Sequence, residues 1–230
     1  MKGFFAKYPA QIAACGAGLL YAIGYMIASS VIKTDAPALF HFYFLGASAV
    51  AMAVVTAVHT VRKSKRGAAL YVALGLGCLA LGRIFVIAAM LASYWTDPIS
   101  VGFIAEACCY LFLMSALYLV SGTPRKVMGA LNILALLAAA VCTASVIANS
   151  EVLLIVCVLA FNLICGGLAL AAFIREKSTR FFAVVIGAMC VFSILGLLEA
   201  MYMVSDAVTP LLEILLVLAT LGLREEEKHV

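Results

Sequence analysis

Five ionisable side chains lie inside long apolar segments of this sequence, where a charge is costly unless it has a partner or a function. They are Arg83, Glu106, Glu199, Glu213 and His41. Carboxylates and histidine exchange protons or bind cations, and an arginine pairs well with a carboxylate. Three carboxylates face one arginine, so full ionisation would leave uncompensated negative charge. We therefore expect a glutamate to carry a proton near neutral pH, or a cation to bind beside it.

Long apolar helices are the elements that must position these side chains. Hydrophobic residues make up 67% of the 230-residue chain and charged residues 11%. A helix of about 20 apolar residues crosses the hydrocarbon core of a bilayer. The sequence predicts an all-α integral membrane protein with eight transmembrane helices at 9–32, 37–61, 67–94, 99–121, 127–148, 152–174, 180–204 and 208–223.

The distribution of basic residues predicts the orientation of the chain. If the eight spans are correct, thirteen Lys and Arg residues at the termini and in alternate loops lie on one side, and Lys33 alone lies on the other. Cytoplasmic loops carry such an excess of positive charge. We therefore expect both termini on the cytoplasmic side of the cell membrane. The net charge of +4 then reflects topology, and a nucleic-acid partner is not expected.

Matching segments indicate two four-helix repeats, at 1–122 and 123–230. Four features recur in the same order, one in each pair of spans. An even number of helices per unit makes the units parallel, and substrate sites often lie where such units meet. The alternative is that hydrophobic helices resemble one another by composition alone. The matches are Ser-Val-Ile at 30–32 and 145–147, basic ends at 61–63 and 174–177, Leu-Gly at 81–82 and 195–196, and Glu106 with Glu213.

Helix rise gives an approximate depth for each charged group. Asp206 is expected in an outer loop, and Glu199 and Glu213 each lie seven residues from it. The two glutamates should therefore lie level, about 10 Å below that loop. Arg83 is expected near the membrane centre, paired with Glu106 across a helical hairpin. The alternatives are an ion pair that only sets helix register, and glutamates that reach the headgroups and bind nothing.

Several polar neighbours fit a lined pocket. Tyr110 follows Glu106 by one turn and Tyr202 follows Glu199 by three residues, so each shares a helix face with its acid. Asn162 is expected to form hydrogen bonds across helices. His41 lies in an aromatic run, Phe-His-Phe-Tyr, which favours a role in the interfacial aromatic belt.

Other chemistry finds little support in the sequence. The eight cysteines all fall within predicted spans and are expected to be reduced, small hydrophobic residues. No histidine pair suits haem or zinc, and no lysine inside a span could attach retinal. We therefore expect no metal site and no cofactor, and no residue is predicted to be catalytic.

Three functions remain open, and a non-enzymatic role is favoured. The first is transport or permeation of a small solute, a lipid-like molecule or a cation, with proton or cation coupling at the glutamates. The second is a non-catalytic membrane subunit or sensor that binds a small ligand or partner helices, including a second copy of the chain. The third is an intramembrane lipid-modifying hydrolase that uses His41 with the glutamates.

Overall fold

The protein is an all-α, polytopic membrane protein. The computed structural model describes residues 9–34, 36–62, 67–91, 98–121, 151–198 and 201–223, together with 130, 133, 134, 137, 140, 141 and 144. Seven helices in these residues are long and apolar enough to cross a membrane, and the described residues contain no strand. They are α1 (Pro9–Val31), α2 (Ala36–Arg62), α3 (Ala68–Leu91), α4 (Pro98–Ser121), α5 (Glu151–Arg175), α6 (Arg180–Gly196) and α7 (Tyr202–Leu221).

The predicted span at 127–148 lies largely outside the described residues. The seven residues described between α4 and α5 are helical. Five of the other predicted spans, the first four and the sixth, coincide with α1 to α5 within about three residues at each end, which is close to the usual uncertainty of helix boundaries.

The boundary between the last two helices differs from the prediction. We expected an outer loop around Asp206, but α6 ends at Gly196 and α7 already begins at Tyr202. Asp206 and Pro210 therefore both lie inside α7. A carboxylate inside an apolar helix needs a partner, which explains why the sequence predicted a loop at Asp206. The partner of Asp206 lies on another helix.

Six helices close a ring. Each of α2 to α7 packs against the next in chain order, and α7 returns to pack against α2. Helix α1 lies outside this ring, mainly against α7. Half (50%) of the membrane span of α7 is buried, compared with 11% for α1, so α7 is the most buried of the seven spans. The largest apolar core lies among α3, α4, α5, α6 and α7.

Small residues allow close packing at several helix crossings. A Cβ at Gly75 on α3 would lie 3.2 Å from the backbone oxygen of Cys109 on α4, so only glycine fits without a shift. This packing role is the one expected in membrane bundles. The seven described cysteines are free, in agreement with the prediction, and Cys142 lies outside the described residues.

Gly196 provides a test of the close contact between α6 and α7. A Cβ there would lie 2.8 Å from Ser205 Oγ, which donates a 2.6 Å hydrogen bond to the backbone oxygen of Phe192. We expect Gly196→Ala to displace Ser205 and lower the free energy of unfolding by about 1–3 kcal/mol, as overpacking does. Thermal unfolding in detergent would measure this loss. Gly167→Ala is the control, because nothing lies within 4 Å of that position, and it should be neutral or slightly stabilising.

Candidate functional site

A cavity of about 540 Å³ lies inside the ring and brings most of the sequence-predicted polar residues together. Its wall is formed by α2, α3, α4, α6 and α7, with the residue that follows α6. Five of the seven candidate residues line it: Arg83, Glu106, Tyr110, Tyr202 and Glu213. His41 is not on the wall but contacts a residue that is, and Glu199 lies outside the described residues.

Arg83 forms an ion pair with Glu213, and not with Glu106 as the sequence predicted. The guanidinium Nη2 lies 2.5 Å from Glu213 Oε1, and Nη1 donates to the backbone oxygen of Leu45 at 3.0 Å. The predicted partner, Glu106, lies on α4, the helix that follows α3 in sequence. Closure of the ring instead brings α7, which carries Glu213, close to α2 and α3. Arg83 therefore connects three helices through one side chain.

Glu213 is fully buried, which is contrary to the alternative that it reaches the lipid headgroups. Its Oε1 is held by Arg83, but its Oε2 has no hydrogen-bond partner among the described residues. Buried polar atoms are normally satisfied, and an exception calls for an explanation such as a proton, a water or a ligand. Glu213 lines the cavity, but Oε2 itself has almost no accessible surface, so a ligand would reach it only after a shift of neighbouring side chains.

Glu106 lies at the end of a short chain of hydrogen bonds across three helices. Ser193 on α6 donates its hydroxyl to Glu106 Oε1. The same Ser193 oxygen accepts a 3.0 Å hydrogen bond from Asn162 Nδ2 on α5, which also donates to the backbone oxygen of Val158 at 2.9 Å. The inter-helix role predicted for Asn162 is confirmed. Within the described residues, Glu106 forms no ion pair.

Sequence reasoning missed Ser193, although it donates to Glu106 and lines the cavity. The available signal was a hydroxyl in the middle of a strongly apolar segment. That signal is weak, because Ser and Thr in helices often bond to their own backbone one turn earlier.

His41 is fully buried, so its predicted role in the interfacial aromatic belt is wrong. Its Nδ1 lies 2.8 Å from the hydroxyl of Tyr21 on α1, and its Nε2 lies 3.1 Å from Asp206 Oδ2 on α7. The second approach is too oblique for a well-aligned hydrogen bond, so it is a contact between charges when the imidazole is protonated. The ring of Tyr25 stacks on the imidazole, with 4.0 Å between the two ring centroids. We call Tyr21, Tyr25, His41 and Asp206 the histidine cluster.

The histidine cluster links the outer helix α1 to the cavity. Tyr21 and Tyr25 belong to α1, whereas Asp206 lines the cavity from α7.

The two candidate tyrosines of the cavity wall, Tyr110 and Tyr202, have different surroundings. Tyr110 is buried and donates to the backbone oxygen of Met189 at 3.2 Å, and Tyr202 is half exposed. Tyr110 thus holds α4 against α6 at the cavity wall.

The arrangement as a whole is a mainly apolar cavity with a few polar groups converging on it, which is typical of small-molecule sites. Among the residues that the structure describes, no three His, Cys, Asp or Glu side chains are grouped so as to hold a metal ion. Comparisons with known protein families, with curated proteins and with solved structures find no match to this chain.

Proposed function

We propose that the chain is a small transporter that binds a solute in this cavity and moves it across the cell membrane, with proton or cation coupling at Glu106 and Glu213. The observation that carries the proposal is the cavity itself. It lies inside a ring of membrane helices, and its wall contains one arginine, Arg83, and three acidic residues. The acidic residues are Glu106, Asp206 and Glu213. Ionisable groups in such a position commonly mark a substrate or ion pathway.

The proposal includes eight spans in two parallel repeats, with 127–148 as the fifth span. The order of packing supports it. Helices α2, α3 and α4 pack in sequence, α5, α6 and α7 do the same, and α4–α5 and α7–α2 join the two series. A two-fold axis along the membrane normal would exchange the halves of such a ring.

The contacts of the two glutamates support the same symmetry. Glu106 on α4 contacts Ser193 on α6, and Glu213 on α7 contacts Arg83 on α3. Each glutamate thus extends from the last helix of its own unit to the third predicted span of the other unit. The equivalent of Arg83 in the second unit is Leu197, which also lines the cavity. The chemistry at the proposed interface is therefore asymmetric.

The mechanism that follows is alternating access around a fixed site. In repeated transporters one unit rocks against the other while the substrate lies between them. Contacts that cross between the units, such as Arg83–Glu213, would break or re-form as the cavity changes side. The excess of basic residues in alternate loops supports cytoplasmic termini and a location in the cell membrane.

Solute-driven proton movement in proteoliposomes tests the proposal. A pH-sensitive dye trapped in the lumen would report proton flux as sugars, amino acids, carboxylates and amines are added across pH 5–8. We expect at least one solute class to drive flux in the wild type, and both Glu106→Gln and Glu213→Gln to abolish it. Glu176→Gln is the control, because Glu176 follows α5 outside the cavity.

Two results would contradict transport. One is undiminished flux in both cavity variants over the whole pH range, which would separate the glutamates from coupling. The other is the absence of flux for every solute in correctly folded protein. If a stoichiometric partner then co-purified from native membranes, the subunit or sensor interpretation would replace transport.

A further inference from the structure

We propose that the solute is a small organic cation, an ammonium with an apolar body, and that it exchanges with a proton at Glu106. This inference rests on the proposed function, because it assigns a substrate class to the same cavity. Three features of the cavity support it: its charge balance, one buried oxygen without a donor, and its largely apolar wall.

Among the residues that the structure describes, no cation lies within ion-pair distance of Glu106. Arg83 is paired with Glu213 at 2.5 Å, and Asp206 has His41 at 3.1 Å. Glu106 receives only the neutral hydroxyl of Ser193 in the part of the chain that the structure describes. An ionised carboxylate away from bulk water needs either a proton or a positive partner. Glu106 is only partly buried and lines the cavity, so either one can reach it through the cavity.

The free oxygen of Glu213 points to the same class of ligand. Oε2 is buried and accepts no hydrogen bond from the described part of the chain, while Oε1 is held by Arg83. A ligand that reaches this oxygen after a shift of the surrounding side chains must offer a donor. An ammonium group has several N–H donors and a positive charge, so its chemistry suits both a carboxylate that needs a cation and an acceptor that lacks a donor.

The cavity wall fits an apolar body attached to the ammonium. Phe42, Phe192, Met189 and Leu212 contribute apolar surface. Aromatic faces also attract cations, most strongly where water is excluded. At about 540 Å³ the cavity is within the size range of sites for drug-sized ligands. An anionic solute would have to displace Glu213 from Arg83 and would meet two further carboxylates.

The remaining groups around Glu106 come from α3 to α7 and, through His41, from α2. They are Arg83 on α3, Cys109 and Tyr110 on α4, Cys165 on α5, Cys190 on α6, and Asp206 with Glu213 on α7, and His41 adjoins Asp206. Thiols and phenols are ordinarily neutral between pH 5 and pH 8, and arginine is charged. Binding of one cation with release of one proton from Glu106 leaves the net charge of the site unchanged.

Three probes of matched shape and different charge test the inference. They are 3,3-diphenylpropylammonium, 3,3-diphenylpropan-1-ol and 3,3-diphenylpropanoate. Calorimetric titration of the full chain in nanodiscs, in two buffers of different ionisation enthalpy, gives both the affinity and the number of protons released. We expect the ammonium to bind more tightly than the alcohol and the carboxylate by about tenfold or more, as a charge-assisted contact implies. We also expect about one proton to be released on binding, since proton and cation compete for one carboxylate.

The variants assign the exchange to one residue. Glu106→Gln should lower the affinity for the ammonium about tenfold or more and abolish proton release, while Glu176→Gln should change neither. Equal affinity for the three probes in the wild type would overturn the inference, whether or not the variant folds. Unchanged affinity and proton release in folded Glu106→Gln would overturn it as well.

The binding measurement separates this inference from transport. If the ammonium binds with proton release but no probe drives flux in proteoliposomes, the cation site stands and the transport proposal fails. If flux is observed only with neutral or anionic solutes, transport stands and the organic-cation assignment fails.

Discussion

Replacement of Arg83 by leucine is expected to lower the free energy of unfolding by about 3–5 kcal/mol, because it removes one partner of a buried ion pair and leaves the other. Glu213 is fully buried and already has one unsatisfied oxygen, Oε2. Without Arg83 its Oε1 would lose its partner too, and the backbone oxygen of Leu45 would lose a donor. Thermal or denaturant unfolding of purified protein in detergent measures the change.

The double variant Arg83→Leu/Glu213→Leu decides whether the loss comes from the stranded carboxylate. Replacing both partners of a buried pair by apolar residues is often neutral or stabilising, so we expect most of the lost stability to return. Arg175→Leu removes an exposed arginine at the end of α5 and should have little effect. A double variant as unstable as Arg83→Leu, or an equal loss in Arg175→Leu, would show that the pair is not what stabilises this region.

Helix positions were predictable wherever polar residues flank a long apolar segment. The span predicted at 37–61 corresponds to α2 at Ala36–Arg62, and the span at 152–174 to α5 at Glu151–Arg175. The sequence signal failed at the start of α7. Asp206 resembles a loop residue until its contact with His41 is known, and that contact depends on packing between helices distant in sequence. The two-repeat arrangement remains a prediction.

The composition of the site was predictable, but its pairing was not. Residue type and apolar surroundings were sufficient to select Arg83, Glu106 and Glu213, because a charge at membrane depth is costly whatever the fold. Which carboxylate meets the arginine depends on closure of the ring by α7 against α2, a long-range contact. Ser193 was missed for a different reason. Hydroxyls at Thr56 and Thr60 bond only to their own helix, and sequence does not distinguish Ser193 from them.

His41→Ala is expected to lower the free energy of unfolding by about 3–5 kcal/mol, the range for truncation of a large buried ring. The substitution leaves a cavity beneath Tyr25, removes the partner of the Tyr21 hydroxyl, and removes the imidazole that lies 3.1 Å from Asp206. Helix α1 lies outside the ring and only 11% of its membrane span is buried. The histidine cluster is therefore a main attachment of α1, and its loss should loosen α1 before the rest of the bundle.

Hydrogen exchange distinguishes local loosening from general destabilisation. In His41→Ala we expect faster amide exchange in α1 and in the first turns of α2, with little change in α3 and α4, whose packing contributes to the main core. Tyr43→Ala is the matched control, because Tyr43 is an aromatic residue on the same helix with 47% of its surface exposed, and it should be close to neutral. A uniform rise in exchange across all helices, or an equal effect of Tyr43→Ala, would contradict the role of the cluster. Selective loosening would show that α1 is held in place through the histidine cluster, one residue of which, Asp206, belongs to the cavity wall.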